Sequence, residues 1–196
     1  MNKRDFLVTT AAGIGVIPAF ALAQSSSKSG AGPALLTLTG AIGAGNRGPL
    51  DPALDQMMQK HKVTFEKAHA FDFTAIGALP AVSIKPTVEY DAKTHVLKGP
   101  LLTDVVKAAG ASNAESARLV LRAVDGYAVA LSMSDAHKYR FIVATHMDGR
   151  PMPLGGLGPL WAVYEADRYS DMAAKPLNQR FALCPWGLYH VDVQNA

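Results

Sequence analysis

Apolar runs separated by glycine-containing turns make up residues 121–166, where the strand signals of the chain are concentrated. Asp125-Gly126 and Asp148-Gly149 each stand between two apolar runs, which favours a tight β-hairpin in which both turn residues take a positive φ. After the first turn, larger and smaller side chains alternate over 127–133, as expected of a strand with one larger-residue face. The pattern therefore predicts a β-rich centre, with further buried strands at 141–144 and 160–164.

Short helices are predicted where capping residues and helix breakers enclose an amphipathic run. A side chain that caps the first turn, proline at the first helical position and glycine just past the end are the usual boundaries. The predicted helices are 52–60 with Asp51 as N-cap, 73–78 with Asp72 as N-cap, 100–109 from Pro100 to just before Gly110, and a helical turn from Ser134 to residue 139.

Outer strands complete the predicted domain. They are expected at 34–39, 82–90, 118–124 and 188–193. Pro86 lacks a backbone N–H, so the strand over 82–90 is predicted to lie at a sheet edge. The whole pattern indicates one domain in which strands and short helices are mixed.

Composition narrows the class of protein. The chain has 196 residues, of which 49% are hydrophobic and 18% charged, so it can build a core and is not disordered as a whole. Its formal charge of +3 comes from scattered side chains, without the basic run and interleaved aromatic residues that nucleic-acid binding would need. We therefore expect no nucleic-acid partner.

The N-terminus is typical of an export signal. Lys3 and Arg4 precede a mostly apolar run, and a small-x-small triplet ends at Ala23. Residues 1–23 are therefore predicted to be a signal peptide cleaved after Ala23, and the Ser/Gly-rich residues 24–33 a flexible linker. The run is shorter than the about 20 apolar residues of a membrane span, so no stable membrane anchor is expected. The Lys-Arg-x-Phe-Leu start resembles the twin-arginine export motif, and the protein is predicted to be periplasmic.

Classical catalytic and cofactor motifs are few. The six histidines form no H-x-x-x-H or H-x-H pair, which argues against a zinc site. The literal G-x-G-x-x-G over 43–48 is followed at once by Pro49, so no helix opens within it and no NAD site is expected. Cys184 is interpreted as a buried small hydrophobe, with a metal-ligating thiolate as the alternative.

The order of several segments resembles the molybdopterin-binding domain of the sulfite-oxidase-like oxidoreductases. This resemblance covers roughly residues 37–193 and implies an α+β fold with a mixed β-sheet and a few short helices, over 34–196. It also implies a molybdopterin cofactor and oxidoreductase activity. The matching segments are 79–80 (LP), 97–106 (LKGPLLTDVV), 123–129 (AVDGYAV), 147–153 (MDGRPMP), 158–160 (GPL) and 186–193 (WGLYHVDV).

The chain departs from that family where the metal would be held. Family members ligate molybdenum through a cysteine, but residues 83–98 contain none, and the Gly-Asn-Arg fragment at 45–47 lies too early. Trp161 stands where an arginine is expected, and basic residues for the pterin phosphate are not recognisable near the C-terminus. Without a thiolate the protein has no soft ligand for the metal, so metal-dependent catalysis and a bound metal are not expected.

Two hypotheses follow for function. The first is a periplasmic molybdopterin-dependent oxidoreductase with a cysteine-free site. The second is a cofactor-free module on the same fold that binds a small molecule or docks on a periplasmic partner. By the resemblance, the pocket residues are expected to be Asp125, Tyr127, His146, Gly158, Pro159 and Trp161. Turn geometry is an alternative role for Asp125 and Gly158, as is core packing for Tyr127 and a surface position for His146.

Overall fold

The computed structural model describes residues 32–111 and 115–195. The chain divides into two units, Met1–Gly30 and Ala31–Ala196, and the described residues belong to the second. The predicted signal peptide and residues 24–31 of the predicted linker lie outside the described part. No helix within that part is long and apolar enough to cross a membrane.

Strands predominate over helices along the described chain. The strands are β1 (Leu36–Gly40), β2 (His69–Phe71), β3 (Ala81–Ile84), β4 (Leu97–Pro100), β5 (Arg118–Ala123), β6 (Ala128–Ser132), β7 (Ile142–Ala144), β8 (His146–Met147), β9 (Arg150–Pro151), β10 (Trp161–Val163) and β11 (Leu188–Gln194). The helices are α1 (Gln56–Lys60), α2 (Phe73–Gly77), α3 (Leu102–Ala108), α4 (Met133–Lys138) and α5 (Ser170–Ala173), with single 3-10 turns at Ala166–Arg168 and Leu177–Gln179.

The strands form three sheets. The largest has the order β2-β1-β11-β5-β6, in which β1 and β11 run parallel and the other neighbours antiparallel. A four-stranded antiparallel sheet has the order β3-β4-β8-β9, and β10 pairs with β7. The fold is thus α+β with a mixed sheet, which confirms the predicted fold class.

The two faces of the largest sheet differ in chemistry because side chains alternate along each strand. Leu38 of β1, Leu121 of β5 and Val191 of β11 point into the main core and are fully buried. The opposite face carries Thr39 and His190, which are also buried although they are polar. One face therefore stabilises the domain by apolar burial, whereas the other holds a hydrogen-bonded polar group.

Both tight turns lie where they were predicted, but the positive φ predicted for Asp125 was wrong. Asp148 and Gly149 both have positive φ, at 50° and 79°, and join β8 to β9 as expected. In the turn between β5 and β6 only Gly126 has a positive φ. This loop is one residue longer, closed by a hydrogen bond from Ala123 N to Tyr127 O, and such loops need the left-handed conformation only at their last residue.

The helices lie where they were predicted, but some of them begin at a different residue. Asp72 caps α2 by accepting a hydrogen bond from Ala75 N, as predicted. Asp51 instead closes a separate turn through Ala53 N and Leu54 N, so α1 begins only at Gln56. The prediction that the helix begins at residue 52 was therefore wrong.

Two further boundaries were displaced by neighbouring structure. Pro100 does not open α3, because Gly99 and Pro100 pair with β3 as the end of β4. Ser132, and not Ser134, caps α4 by accepting from Asp135 N. The strand predicted over 82–90 ends at Ile84, although its edge position is confirmed.

Candidate functional site

A cavity of about 290 Å³ opens where three segments meet. The segments are the hairpin between β3 and β4, the turn between β5 and β6, and the chain that leads into β11. We call this cavity the Trp186 pocket. Its charged and aromatic lining residues are Glu89, Tyr90, Asp125, Tyr127, Phe181 and Trp186.

The first wall is a tight hairpin. Val88 N donates a hydrogen bond to Lys93 O, and Thr87 pairs with Thr94, so the chain reverses just after Val88. Val88 is buried in the core, which anchors the hairpin while its tip stays in solvent. Glu89 and Tyr90 therefore stand at the rim of the pocket.

The second wall is the turn that the sequence singled out. Asp125 accepts a hydrogen bond from Tyr127 N at 2.9 Å through one carboxylate oxygen, which shapes the turn. The Tyr127 hydroxyl donates to Ala182 O at 2.7 Å and so fixes the ring against the chain that leads into β11. Asp125 therefore shapes the turn and also lines the Trp186 pocket.

The third wall contains Cys184 and Trp186. Gly187 follows Trp186 with a φ of +60°, and a Cβ at that position would lie 2.9 Å from a Val124 methyl carbon. The positive φ and this close contact favour glycine where the segment passes the turn between β5 and β6. Trp186 forms an isolated bridge with Trp161, which holds the segment against β10.

Burial and the neighbouring Glu89 carboxylate raise the pKa of two pocket groups. Burial, followed by the charge of Glu89, raises the pKa of Tyr90 to about 12. Burial raises the pKa of the Cys184 thiol well above its usual value, and Glu89 adds to that shift. Cys184 is thus a buried, protonated thiol, in agreement with its interpretation as a small hydrophobe.

A second cavity of about 650 Å³ shares Tyr90 and Trp186 with the Trp186 pocket. Gly158 lines it, and none of the described residues that form its lining is charged. A Cβ on Gly158 would lie 2.5 Å from Met152 O, so close packing explains this glycine. The Gly158–Pro159 peptide bond is cis.

The remaining expected pocket residues lie elsewhere. Trp161 is fully buried in the core, and its indole N–H donates to Cys184 O at 2.9 Å. His146 lies on β8, where its Nδ1 pairs with Thr145 Oγ1 and its ring packs against Phe73. The structure therefore brings Asp125 and Tyr127 together in one cavity and Gly158 into the next. Pro159 and His146 line neither of these two cavities, and Trp161 lies in the core.

Glu89, Tyr90 and Trp186 were not identified as site residues from the sequence. The sequence places Trp186 only in the matching segment 186–193 and Tyr90 only at the end of the strand predicted over 82–90. A useful signal was the acidic and aromatic pair Glu89-Tyr90 directly before the turn at Asp91. Tyr90 is 57% exposed and so is available to a ligand.

The residues of the Trp186 pocket do not fit a molybdenum–pterin group. Such a group needs a soft thiolate for the metal and positive charge for its phosphate. Cys184 is the chain's one cysteine and its thiol is buried and protonated. Among the described residues, the lining contains Glu89 and Asp125 but no Lys, Arg or His, so it would repel a phosphate.

A metal or an anion could also be held outside the Trp186 pocket, either by a cluster of metal-ligating side chains or in a cavity with basic residues. Across 32–111 and 115–195, no three His, Cys, Asp or Glu side chains are grouped so as to hold a metal ion. Lys62, Arg122 and Asp192 line a small cavity beside His190 on the polar face of the largest sheet, but its volume is only about 100 Å³. That space is too small for a pterin cofactor, and its described lining has no thiol.

Comparisons with known proteins place the fold. No family model matches the chain, and no curated protein matches it. Among solved structures, the sulfane dehydrogenase SoxCD from Paracoccus pantotrophus is similar, with a TM-score of 0.53 and 11% identity. The match covers 82% of this chain and 38% of that one. The chain therefore shares its α+β fold with this dehydrogenase, whereas membership of the sulfite-oxidase-like family is not shown.

Proposed function

We propose that the chain is an exported binding module that holds a small molecule in the Trp186 pocket and does not carry a molybdenum cofactor. The observation that supports this is the chemistry of the described pocket lining: carboxylates and aromatic rings, without a cation or an ionised thiol. A volume of about 290 Å³ is close to the lower limit of ligand pockets, about 300–1,000 Å³, and so suits a small metabolite.

Export to the periplasm is part of this proposal and rests on the first 23 residues. Their positive start, apolar run and small residues before Gln24 predict cleavage after Ala23. Expression of the full chain in a Gram-negative host should therefore yield a periplasmic protein that begins at Gln24. N-terminal sequencing of the periplasmic fraction tests this, and an uncleaved protein in the cytoplasm would contradict it.

Cofactor content distinguishes the proposal from the oxidoreductase hypothesis. The protein purified from its own host, folded and processed, should contain neither stoichiometric molybdenum nor fluorescent pterin. Mass spectrometry of the metals and fluorescence of the acid-oxidised protein measure both. Stoichiometric amounts of the two would refute the proposal and establish a molybdopterin enzyme without a cysteine ligand.

Ligand binding is tested by thermal stabilisation across a set of small metabolites. A ligand at about 100 times its Kd adds about 2.7 kcal/mol to the free energy of unfolding and so raises Tm. The increase should be lost in Trp186→Ala, which removes a wall of the pocket. It should persist in Phe73→Ala, a matched control in which a partly exposed aromatic ring outside both cavities is removed.

A further inference from the structure

We infer that the Trp186 pocket binds a small organic cation, specifically an alkylated ammonium group. This inference rests on the proposed function, because it names the chemical class of the ligand for the same pocket. Two features of the lining carry it. They are the uncompensated negative charge and the number of aromatic rings.

The negative charge comes from two different walls. Glu89 belongs to the hairpin after β3 and Asp125 to the turn before β6, so two acidic residues from separate segments line one cavity. Neither carboxylate forms an ion pair with another residue of the described ranges, whose six ion pairs all lie elsewhere. A cationic ligand would therefore supply the positive charge that this cavity lacks.

The negative charge of Glu89 makes the cavity unfavourable for further negative charge. After burial, the proximity of Glu89 is the next cause that raises the pKa of Tyr90, and it also raises that of Cys184. The same field would weaken the binding of an anion and strengthen that of a cation, because both effects are interactions with one carboxylate.

The aromatic rings select among cations. Tyr90, Tyr127, Phe181 and Trp186 line the cavity, and the face of an aromatic ring attracts a cation, most strongly in tryptophan. A hard metal ion would instead need about six or more oxygen ligands, whereas Glu89 and Asp125 are the only carboxylates among the described lining residues. Alkyl groups on nitrogen suit this surface, since they bury apolar area against the rings and leave few hydrogen bonds to satisfy.

The test compares two ligands of the same shape that differ in charge. Choline and 3,3-dimethylbutan-1-ol both carry a hydroxyethyl chain on a trimethyl-substituted centre, which is nitrogen in the first and carbon in the second. Isothermal titration calorimetry of the mature protein should show binding of choline at least about tenfold tighter than that of the alcohol. Added salt should weaken the binding of choline only.

Charge-removing variants locate the effect. Glu89→Gln and Asp125→Asn keep the size of the side chain, and the amide oxygen that the second substitution introduces can still accept from Tyr127 N. Each variant should reduce the affinity for choline severalfold while leaving the affinity for the alcohol unchanged. Glu115→Gln is the matched control, because Glu115 is an exposed acid outside the pocket, paired with His137.

The outcomes separate this inference from the proposed function. Equal binding of choline and the alcohol would overturn the inference and leave a ligand-binding module in place. So would Trp186-dependent binding of an anion or a neutral metabolite when choline does not bind. If no small molecule stabilises the protein in a manner that depends on Trp186, both the inference and the proposed function are refuted.

Discussion

Acid should destabilise this protein through His190, which is buried on the polar face of the largest sheet. Arg122 Nη1 lies 3.2 Å from His190 Nδ1, and because a guanidinium only donates, Nδ1 must accept. The ring proton is therefore on Nε2, which donates to Thr39 Oγ1 at 2.9 Å, and the Thr39 hydroxyl donates to Asp192 Oδ1 at 3.1 Å. This chain of hydrogen bonds requires a neutral imidazole.

The magnitude follows from the pKa of His190. Burial first, and the charge of Arg122 second, lower the pKa of His190 from 6.5 to about 4. Well above that ordinary value the ring is neutral in both the folded and the unfolded state, so it has no effect on stability. At lower pH only the unfolded chain takes the proton, so stability is lost as pH falls towards the folded-state pKa. A difference of about 2.5 in pKa, at about 1.4 kcal/mol for each pH unit, gives a total loss of about 3 kcal/mol.

Urea unfolding at about pH 7 and about pH 4.5 measures the loss. His190→Gln has no titratable ring, so its own acid-induced loss should be smaller than that of the unmodified protein by about 2.5 kcal/mol at the lower pH. Carboxylates such as Asp171, whose pKa the Lys138 ammonium and the Tyr139 hydroxyl lower to about 2, contribute equally to both proteins and cancel. His137→Gln, at a partly exposed histidine, controls for the substitution itself.

Equal acid-induced losses in the unmodified protein and His190→Gln would refute this reasoning. That result would mean that the folded protein protonates His190 in acid without penalty, so that the hydrogen-bonded chain rearranges. The ¹⁵N chemical shifts of the His190 ring, followed with pH, report the same equilibrium directly. A folded-state transition near the ordinary histidine pKa of about 6.5 would contradict a ring held neutral by burial.

Two substitutions test the packing. A Cβ on Gly99 would collide with Val143 O, so Gly99→Ala should lower the free energy of unfolding by several kcal/mol. A Cβ on Gly77 meets nothing within 4 Å, so Gly77→Ala should be neutral or stabilise the protein by up to about 1 kcal/mol. Equal urea midpoints for the two variants would contradict this reasoning. Trp161→Ala should lower the free energy of unfolding by about 3–5 kcal/mol, because the ring is fully buried and its N–H donates a hydrogen bond to Cys184 O. A loss of ligand affinity without a loss of stability would contradict a purely structural role for Trp161.

Sequence signals within a few residues correctly predicted the turns and caps that depend only on neighbouring residues. The turn at Asp148-Gly149 and the cap at Asp72 depend on residues within a few positions of each other, and both were correct. Pro100 shows the limit of this reasoning. It has the signature of a helix start, but pairing of the preceding residues with β3 extends β4 through it. Tertiary pairing overrides local propensity where the two compete.

The site was predicted only in part for the same reason. Asp125 and Tyr127 belong to a turn that the sequence marks clearly, and the resemblance implies both as pocket residues. Glu89 and Trp186 reach the same cavity from segments far away in the chain, and neither segment carries a motif. Trp161 was misleading because a tryptophan next to a Gly-Pro segment is equally compatible with a pocket and with a core, and its burial distinguishes the two.

The charge of the lining is more informative about function than the fold is. A shared fold positions loops around a cavity, but the side chains on those loops decide which ligand gains free energy there. A phosphate-bearing cofactor needs positive charge in the lining of the cavity, whereas an alkylammonium ion needs negative charge there. Glu89 and Asp125 supply negative charge, which favours the alkylammonium ion and disfavours the phosphate. A fold similar to that of a dehydrogenase therefore does not imply its chemistry, and the two carboxylates are where the two functions can be told apart.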